Sequence, residues 1–524
     1  MAFGSFSCCV VESNYFFSVC GVEALCRFGC FLFGCSFFWK KKRRGSGADA
    51  QQRVPPGETE VDAEKEFVTG GGRLPTWAVS LSVFATLVSS ISFLCFPAGA
   101  YGAEQWKGWV NSIALPFATV IAMIWFVPFY RKSTSASAYS FLEERYGIWA
   151  RIYASVCFLI LQNARPGIIL LLLAYLLEPL LGFSYESTII VTGVVTMLYA
   201  MTGGFAAVVW ADAIQSILLI VGTVVAVVFL VVLTPDFGTH LAAAWDAGKF
   251  SLGSFSLTNW ADSTFWVLFL CNICLNLQNF GIDQCYTQRY AAAKDLKAAR
   301  SSIWTSSWMY SGITLLFTLI GTLLWMFNRA NPGVIPAGTT PDQVFPWFIV
   351  NKLPPGISGL LMAAIIAAAM STIAATLNSG ATVLLEDYWK RFAPQRANPR
   401  SNVRFLRAMT VALAVVSVGI ALAVVRFKPA NDSILKTWWV MQSLLSGGML
   451  GLFIIGVFAC RSRSWHAAVA VACGTAALCW TTFFGGRFVS KIMALVFATI
   501  TIVVLGFVLS SIKTRTPSCA RECK

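Results

Sequence analysis

Apolar residues run along this chain in stretches of about 20, separated by short polar segments that carry most of the Lys and Arg. Thirteen such runs lie near 15–39, 76–100, 107–130, 150–178, 187–202, 209–233, 264–283, 303–327, 356–385, 405–425, 437–459, 465–484 and 492–512. At a rise of about 1.5 Å per residue, a run of about 20 crosses a hydrocarbon core of about 30 Å as a helix. The runs are continuous rather than alternating, which favours helices over barrel strands. The pattern predicts an all-α polytopic membrane protein with about 13 transmembrane helices. The first run is the weakest, because it contains Glu23 and Arg27, four apart and able to pair on one helix face. It has no basic leading segment and no clear cleavage site, so it does not read as a signal peptide.

Two runs carry polar groups at membrane depth. The second, SLSVFATLVSSISFLCFPAGAYG, holds Ser82, Thr86, Ser89, Ser90 and Ser92, then Pro97 and Gly99. The seventh, WVLFLCNICLNLQNFGIDQ, holds Asn272, Asn276, Gln278, Asn279 and Gly281. Such groups are costly unless they face protein or water. The two runs are five apart, so runs 2–6 and 7–11 read as corresponding halves, each led by an irregular helix. That arrangement points to a central binding site in secondary transporters. Interhelical hydrogen bonding explains the same polar residues equally well. The ninth run, rich in alanine, adds adjacent Ser371 and Thr372. Paired hydroxyls are hard oxygen donors suited to Na⁺ beside the carbonyls of an unwound neighbour; a small-residue packing face accounts for the alanines but less well for the hydroxyls.

Composition supports the membrane reading: 57% of residues are hydrophobic and 12% charged, about half the charged share of a soluble domain. The net charge of +15 would otherwise suggest nucleic acid, but the basic residues sit in the connections between runs, as membrane topology requires. With the N-terminus outside, inner segments hold 28 of the 39 Lys and Arg and outer loops nine, while Arg27 and Arg165 lie within runs. This bias places the C-terminus in the cytoplasm. Residues 1–64 form a divergent segment with the weak first helix and a basic linker. Residues 65–460 form the core with the two corresponding halves, and 461–524 two last helices with a short basic tail.

Only two histidines, His240 and His466, are present, which excludes a His-rich metal centre. Of sixteen cysteines, Cys8, Cys9, Cys20, Cys26, Cys30 and Cys35 crowd the start. Cys271 with Cys274, and Cys519 with Cys523, lack a second ligand pair and read as packing or free thiols.

Five segments in order, TGGGRLPTWAVSLSVFATLVSS, FLEERYG, YAMTGGFAAVVWADAIQ, DQCYTQRYAAAKDLKAAR and AAAMSTIAATLNSGATVLLEDYWKRF, make residues 65–460 resemble the sodium:solute symporter family (solute carrier 5-like). The resemblance implies the leucine-transporter fold, an inverted five-helix repeat with one extra helix before it. It also implies a sodium site formed by the carbonyls of Ala85, Val88 and Ala368 and the hydroxyls of Ser371 and Thr372. Asp212 matches a family acidic position at the cytoplasmic end of a span, read as structural or gating. Leu87 stands where proline-type members carry Asp, which argues against proline. Asn279 stands where sugar-type members carry an aromatic gate, while Asn276 matches a sugar-contacting position and keeps polyols open. The first 64 residues match no family pattern.

Arg165 lies inside the fourth run beside Gln162. Intramembrane charges usually face the bundle interior, and a guanidinium binds a carboxylate through two parallel hydrogen bonds. Some family members, sialic acid symporters among them, place an arginine on this helix for that purpose. Pairing with a structural acid, or snorkelling, is the competing account. Candidate solute contacts are therefore Ser89, Ser92, Gln162, Arg165, Asn276, Asn279 and Gln442, the last beside Trp438, Trp439 and Ser443 on the eleventh run.

These features predict a secondary active transporter that imports a small organic solute with Na⁺, the solute bearing a carboxylate as in sialic acid or a monocarboxylate. A Na⁺/sugar or polyol symporter is the nearest alternative. A channel or ion-binding sensor would need a polar pore, and no acidic ring or filter-like segment is found. An enzyme would need a nucleophile, an acid–base pair or a metal cluster at workable spacing, and none is found. The expected partners are the solute, Na⁺ as coupling ion and the lipid bilayer of the plasma (inner) membrane, with no organic cofactor and no nucleic acid.

Overall fold

A computed structural model of the chain describes residues 64–132, 136–427, 434–459, 461–484 and 490–511. The first predicted run, the Glu23–Arg27 pair, the N-terminal cysteines and the Cys519–Cys523 pair lie outside them, as do the side chains of Trp438, Trp439 and Ser443.

The helices follow the apolar runs. In chain order they are α1 (Thr76–Leu87), α2 (Ser90–Tyr101), α3 (Lys107–Lys132), α4 (Ser140–Tyr146), α5 (Ile148–Leu181), α6 (Tyr185–Val232), α7 (Phe237–Asp246), α8 (Phe265–Ile282), α9 (Gln284–Ala292), α10 (Leu296–Ala330), α11 (Pro341–Lys352), α12 (Pro355–Val383), α13 (Pro399–Phe427), α14 (Ile434–Phe458), α15 (Ser464–Phe483) and α16 (Ala494–Ser511). Among the described residues, nine helices are long and apolar enough to cross a membrane, and α1 with α2 make a tenth as one bent span. Two helical halves emerge, one from α1 to α6 and one from α8 to α14. Each opens on a broken helix, and five crossings per half invert the second half relative to the first.

The first break has a local cause. Val88 and Ser89 adopt extended backbone (φ −91°, ψ 124° and φ −117°, ψ 168°). Ser89 then caps α2 by accepting from the Ser92 amide at 3.4 Å, and α2 leaves at 57° to α1. The last carbonyls of α1 thereby lose the amides a continuous helix would supply. The second break falls at Asp283 (φ −79°, ψ 122°), whose carboxylate accepts from the Cys285 amide at 2.7 Å and starts α9.

Runs five and six are joined in α6 across a break at Gly204 (φ 60°, ψ −160°). A Cβ there would come within 2.9 Å of the Phe67 Cα, so glycine is needed both for the conformation and for the approach. Asp212, which matches a family position near a span end, lies inside the helix, two turns past this break. Arg289, counted among the charges of an inner segment, lies on α9 with no exposed surface.

Helix α12 is the central post, with 89% of its apolar window buried; α13 has only 28% buried and presents Val415 and Val416 outward. The alanines of α12 let α5, α6 and α1 approach closely. Gly321 does the same for α10 against α2: an added Cβ would overlap the Pro97 carbonyl and stand 2.7 Å from the Ala100 Cβ. Gly321→Ala is expected to destabilise the protein by about 1–3 kcal/mol, the range for overpacking, read as a lower melting temperature in detergent. An unchanged melting temperature would show that α2 and α10 can separate freely.

Candidate functional site

The α1–α2 break faces the middle of α12. Ser371 Oγ donates to the Ala368 carbonyl at 3.0 Å and reaches the Ala85 carbonyl of α1 at 3.4 Å. Thr372 Oγ1 donates to the Ala368 carbonyl at 3.3 Å. Four of the five proposed sodium ligands, Ala85, Ala368, Ser371 and Thr372, are thus linked by contacts. Val88 contributes the extended residue whose carbonyl α1 no longer uses. Two oxygens at right angles on a shell of Ca²⁺-like radius, about 2.4 Å, stand about 3.4 Å apart, so the spacing suits a cation of that size. All five residues are buried.

A second group of polar residues surrounds the α8–α9 break. Gln162 and Arg165 of α5, Gln278 and Asn279 of α8, Asp283 at the break, Gln442 of α14 and Tyr139 line one pocket of about 30 Å³, enough for a single water. Gln162 donates to Asp283 Oδ2 at 3.1 Å. The Oε1 atoms of Gln162 and Gln278 are buried and have no hydrogen-bond partner. Arg165 enters none of the ion pairs among the described residues, although Asp283 lines the same pocket. A guanidinium without a direct ion pair, in one pocket with the Asp283 carboxylate and two orphaned amide oxygens, is an environment for a ligand with one anionic group and several hydroxyl or amide donors.

Three other candidate contacts are not among the residues lining this pocket. Asn276 is buried and donates to Asn111 Oδ1 at 3.0 Å, and Asn111 donates to the Tyr310 hydroxyl at 3.0 Å. Ser89 and Ser92 hydrogen-bond one another across the first turn of α2 at 3.5 Å.

Asp212 belongs to a third cluster. Its Oδ2 accepts from Ser82 Oγ at 2.6 Å and from Arg289 at 2.9 Å. Arg289 Nε donates to Ser82 Oγ at 2.9 Å, and its guanidinium lies over the Phe205 ring at 5.6 Å. The pair ties α6, α9 and α1 together, with side chains 1% and 0% exposed. On the same helix, Gln284 donates to the Ala136 carbonyl at 2.6 Å and accepts from the Ala138 amide at 2.8 Å; Gln288 donates to Asn378 at 2.9 Å and Thr382 at 3.2 Å on α12.

Sequence reasoning missed Asp283, Gln278 and Tyr139 as pocket residues, and α9 as a buried helix. Asp283 could have been found as an N-cap: an Asp two residues after Gly281, ahead of a polar segment, is a helix-start signal. Cys271 and Cys274 are free thiols, the former beside Met493 at 3.2 Å.

The model of the sodium:solute symporter family matches residues 67–474. The sodium/sialic acid symporter SiaT of Proteus mirabilis is 30% identical over 411 residues, 78% of this chain and 82% of its own length. Human sodium-coupled monocarboxylate transporter 1 is 26% identical, over 79% of this chain and 68% of that protein. A solved Na⁺-coupled sialic acid symporter, in a substrate-bound outward-open state, superposes with a TM-score of 0.80 at 27% identity, covering 87% of this chain and 94% of that one. MhsT in complex with L-phenylalanine, at a TM-score of 0.51 and 15% identity, shares the fold alone. With two broken helices leading two inverted halves, and a match that spans both, this integral membrane protein belongs to the sodium:solute symporter family.

Proposed function

We propose that the chain imports a carboxylate-bearing solute, of the sialic acid or monocarboxylate class, together with Na⁺, and that Arg165 holds the carboxylate. The observation that carries this reading is the Arg165 guanidinium, which enters no direct ion pair among the described residues, in one pocket with Gln162, Asn279, Asp283 and Gln442, beside the orphaned Oε1 atoms of Gln162 and Gln278. Sialic acid and monocarboxylate symporters among the relatives support the same class. Asn276, which kept polyols open, is committed to Asn111.

The cycle is alternating access without covalent chemistry. Outside Na⁺ binds the carbonyls of Ala85, Val88 and Ala368 and the hydroxyls of Ser371 and Thr372. It thereby joins the broken α1 to α12 and favours an outward-open pocket. Solute binds between α5, α8 and α14, the outer side closes, the inner side opens, and Na⁺ leaves into a cytosol poor in Na⁺. The pocket of about 30 Å³ is too small for such a solute, so these helices must part to admit it. A tenfold Na⁺ gradient supplies about 1.4 kcal/mol, and a potential of 100 mV about 2.3 kcal/mol per charge. One ion can therefore support roughly 500-fold accumulation of a neutral solute, but only about tenfold of a monoanion, whose charge cancels that of Na⁺ and leaves the potential no net charge to drive. The protein would sit in the plasma (inner) membrane with its C-terminus cytoplasmic.

The test is thermal stability of the purified protein across sialic acids, monocarboxylates, sugars, polyols and amino acids, each in Na⁺ and in K⁺. A ligand at 100 times its dissociation constant stabilises by about 2.7 kcal/mol. One carboxylate is expected to stabilise in Na⁺ only, and Arg165→Ala to abolish that gain. A neutral polyol as the stabilising solute, or a gain that survives Arg165→Ala, would overturn the assignment.

A further inference from the structure

The N-terminal end of α13 carries a concentration of positive charge that neither the solute pocket nor the sodium site uses. Arg396, Arg400, Arg404 and Arg407 fall within twelve residues, and no Asp or Glu occurs from 388 to 431. Arg400, Arg404 and Arg407 recur at i, i+4 and i+7 and so share one helix face; all four arginines are exposed. Nearby acids are already taken. Lys390 pairs with Glu64 at 2.8 Å and Glu386 at 2.7 Å, Arg151 with Asp387 at 2.6 Å, and Arg391 with Glu143. Among the described residues, Arg396, Arg404 and Arg407 enter no ion pair.

The charge also stands at the unfavourable end of its helix, where the macrodipole is positive. Asn398 supplies the N-cap by accepting from the Ser401 amide at 2.9 Å, but it brings no negative charge. The arginines are not spread over a flat surface. Arg396, Arg400 and Arg404 line an open groove of about 600 Å³ with Gln395, Asn398, Ser401 and Trp389. The indole N–H of Trp389 is buried without an acceptor, while its ring stacks on Phe405 at 4.7 Å. The depth of the groove relative to lipid follows from α13 itself. Val415 and Val416 face outward about three turns beyond Arg404, roughly 16 Å along the axis, and Phe392 beside the groove is 62% exposed. The groove thus lies where the lipid headgroups meet the hydrocarbon.

We propose that this arginine-lined groove binds the phosphodiester headgroup of an anionic phospholipid, with Arg396 and Arg404 on the phosphate oxygens and the acyl chains lying along the outward face of α13. A phosphate accepts bidentately from guanidinium. Only a lipid also supplies apolar chains for the exposed valines. The proposal is independent of the solute reading.

The test compares the full chain in phosphatidylcholine nanodiscs with and without phosphatidylglycerol. Wild type is expected to melt several degrees higher with phosphatidylglycerol, and the gain to shrink as salt rises. Arg396→Gln with Arg404→Gln should lose most of the gain while melting like wild type in pure phosphatidylcholine. Lys294→Gln with Lys297→Gln, on a connection placed on the same side by span count, should keep it. If the double arginine variant does not fold, each single variant is read the same way. A gain that persists without the two arginines, or that is lost equally in the lysine variant, would overturn the site. A gain reproduced by inorganic phosphate in pure phosphatidylcholine would overturn the lipid as its occupant.

Discussion

Replacing Ser371 by Ala together with Thr372 by Val is expected to raise the Na⁺ concentration needed for half-maximal stabilisation at least about a hundredfold. Each hydroxyl that turns its lone pairs to a cation contributes about 1.5–3 kcal/mol, and 1.4 kcal/mol is a factor of ten. Both hydroxyls now donate to helix carbonyls, at 3.0 and 3.3 Å to Ala368. The Ser371 hydroxyl also stands 3.4 Å from the Ala85 carbonyl at the end of α1. The measurement is a Na⁺ titration of melting temperature, with the melting temperature in K⁺ as the control for folding. Thr372→Ser keeps the oxygen and should stay near wild type. Unaltered Na⁺ dependence in a folded double variant would remove these hydroxyls from the site.

Breaking the Arg289–Asp212 pair carries the largest expected loss of stability. Asp212→Ala leaves a guanidinium buried without its counter-charge, and such single removals cost about 3–5 kcal/mol. Ser82 cannot replace the carboxylate, because its hydroxyl is neutral and already joins both partners. Arg289→Met combined with Asp212→Leu removes both charges and is expected to recover most of the loss, since a packed apolar pair avoids the desolvation penalty. The readout is unfolding of the detergent-solubilised protein, with the double variant compared against each single. If Asp212→Ala unfolds like wild type, water must reach the pair. If the double variant is no better than either single, the cluster holds α9 by shape rather than by charge.

This pair also shows where reading the chain fell short. Asp212 was visible as an acid in an apolar context, and Arg289 as one of several basic residues after the seventh run. Nothing local connected them, because they are 77 positions apart and meet only when α9 folds back into the bundle. Helix α9 itself was hidden. Its nine residues, QCYTQRYAA, are polar enough to read as a connection, yet eight of them are buried. A polar helix can be buried only if its groups are matched one by one. The partners of Gln284, Gln288 and Arg289 lie on α1, α6, α12, the α3–α4 connection and the segment before α1.

The membrane runs were legible for the opposite reason. The thickness of the hydrocarbon core sets the length of every spanning helix, and one dimension of sequence is enough to record it. The fourth run, expected near 150–178, is the helix Ile148–Leu181; the tenth, expected near 405–425, is Pro399–Phe427. The adjacent hydroxyls of Ser371 and Thr372, and the serines that later broke the first core helix, were equally local signals. The sequence by itself therefore determined that the protein is a helical membrane protein in two related halves, with an irregular helix leading each. The tertiary structure alone decided which polar residues share a pocket. It tied Asn276 to Asn111, brought Asp283 beside Gln162, and buried Arg289. Side-chain pairing across helices depends on rotation and depth, which a run of apolar residues does not encode.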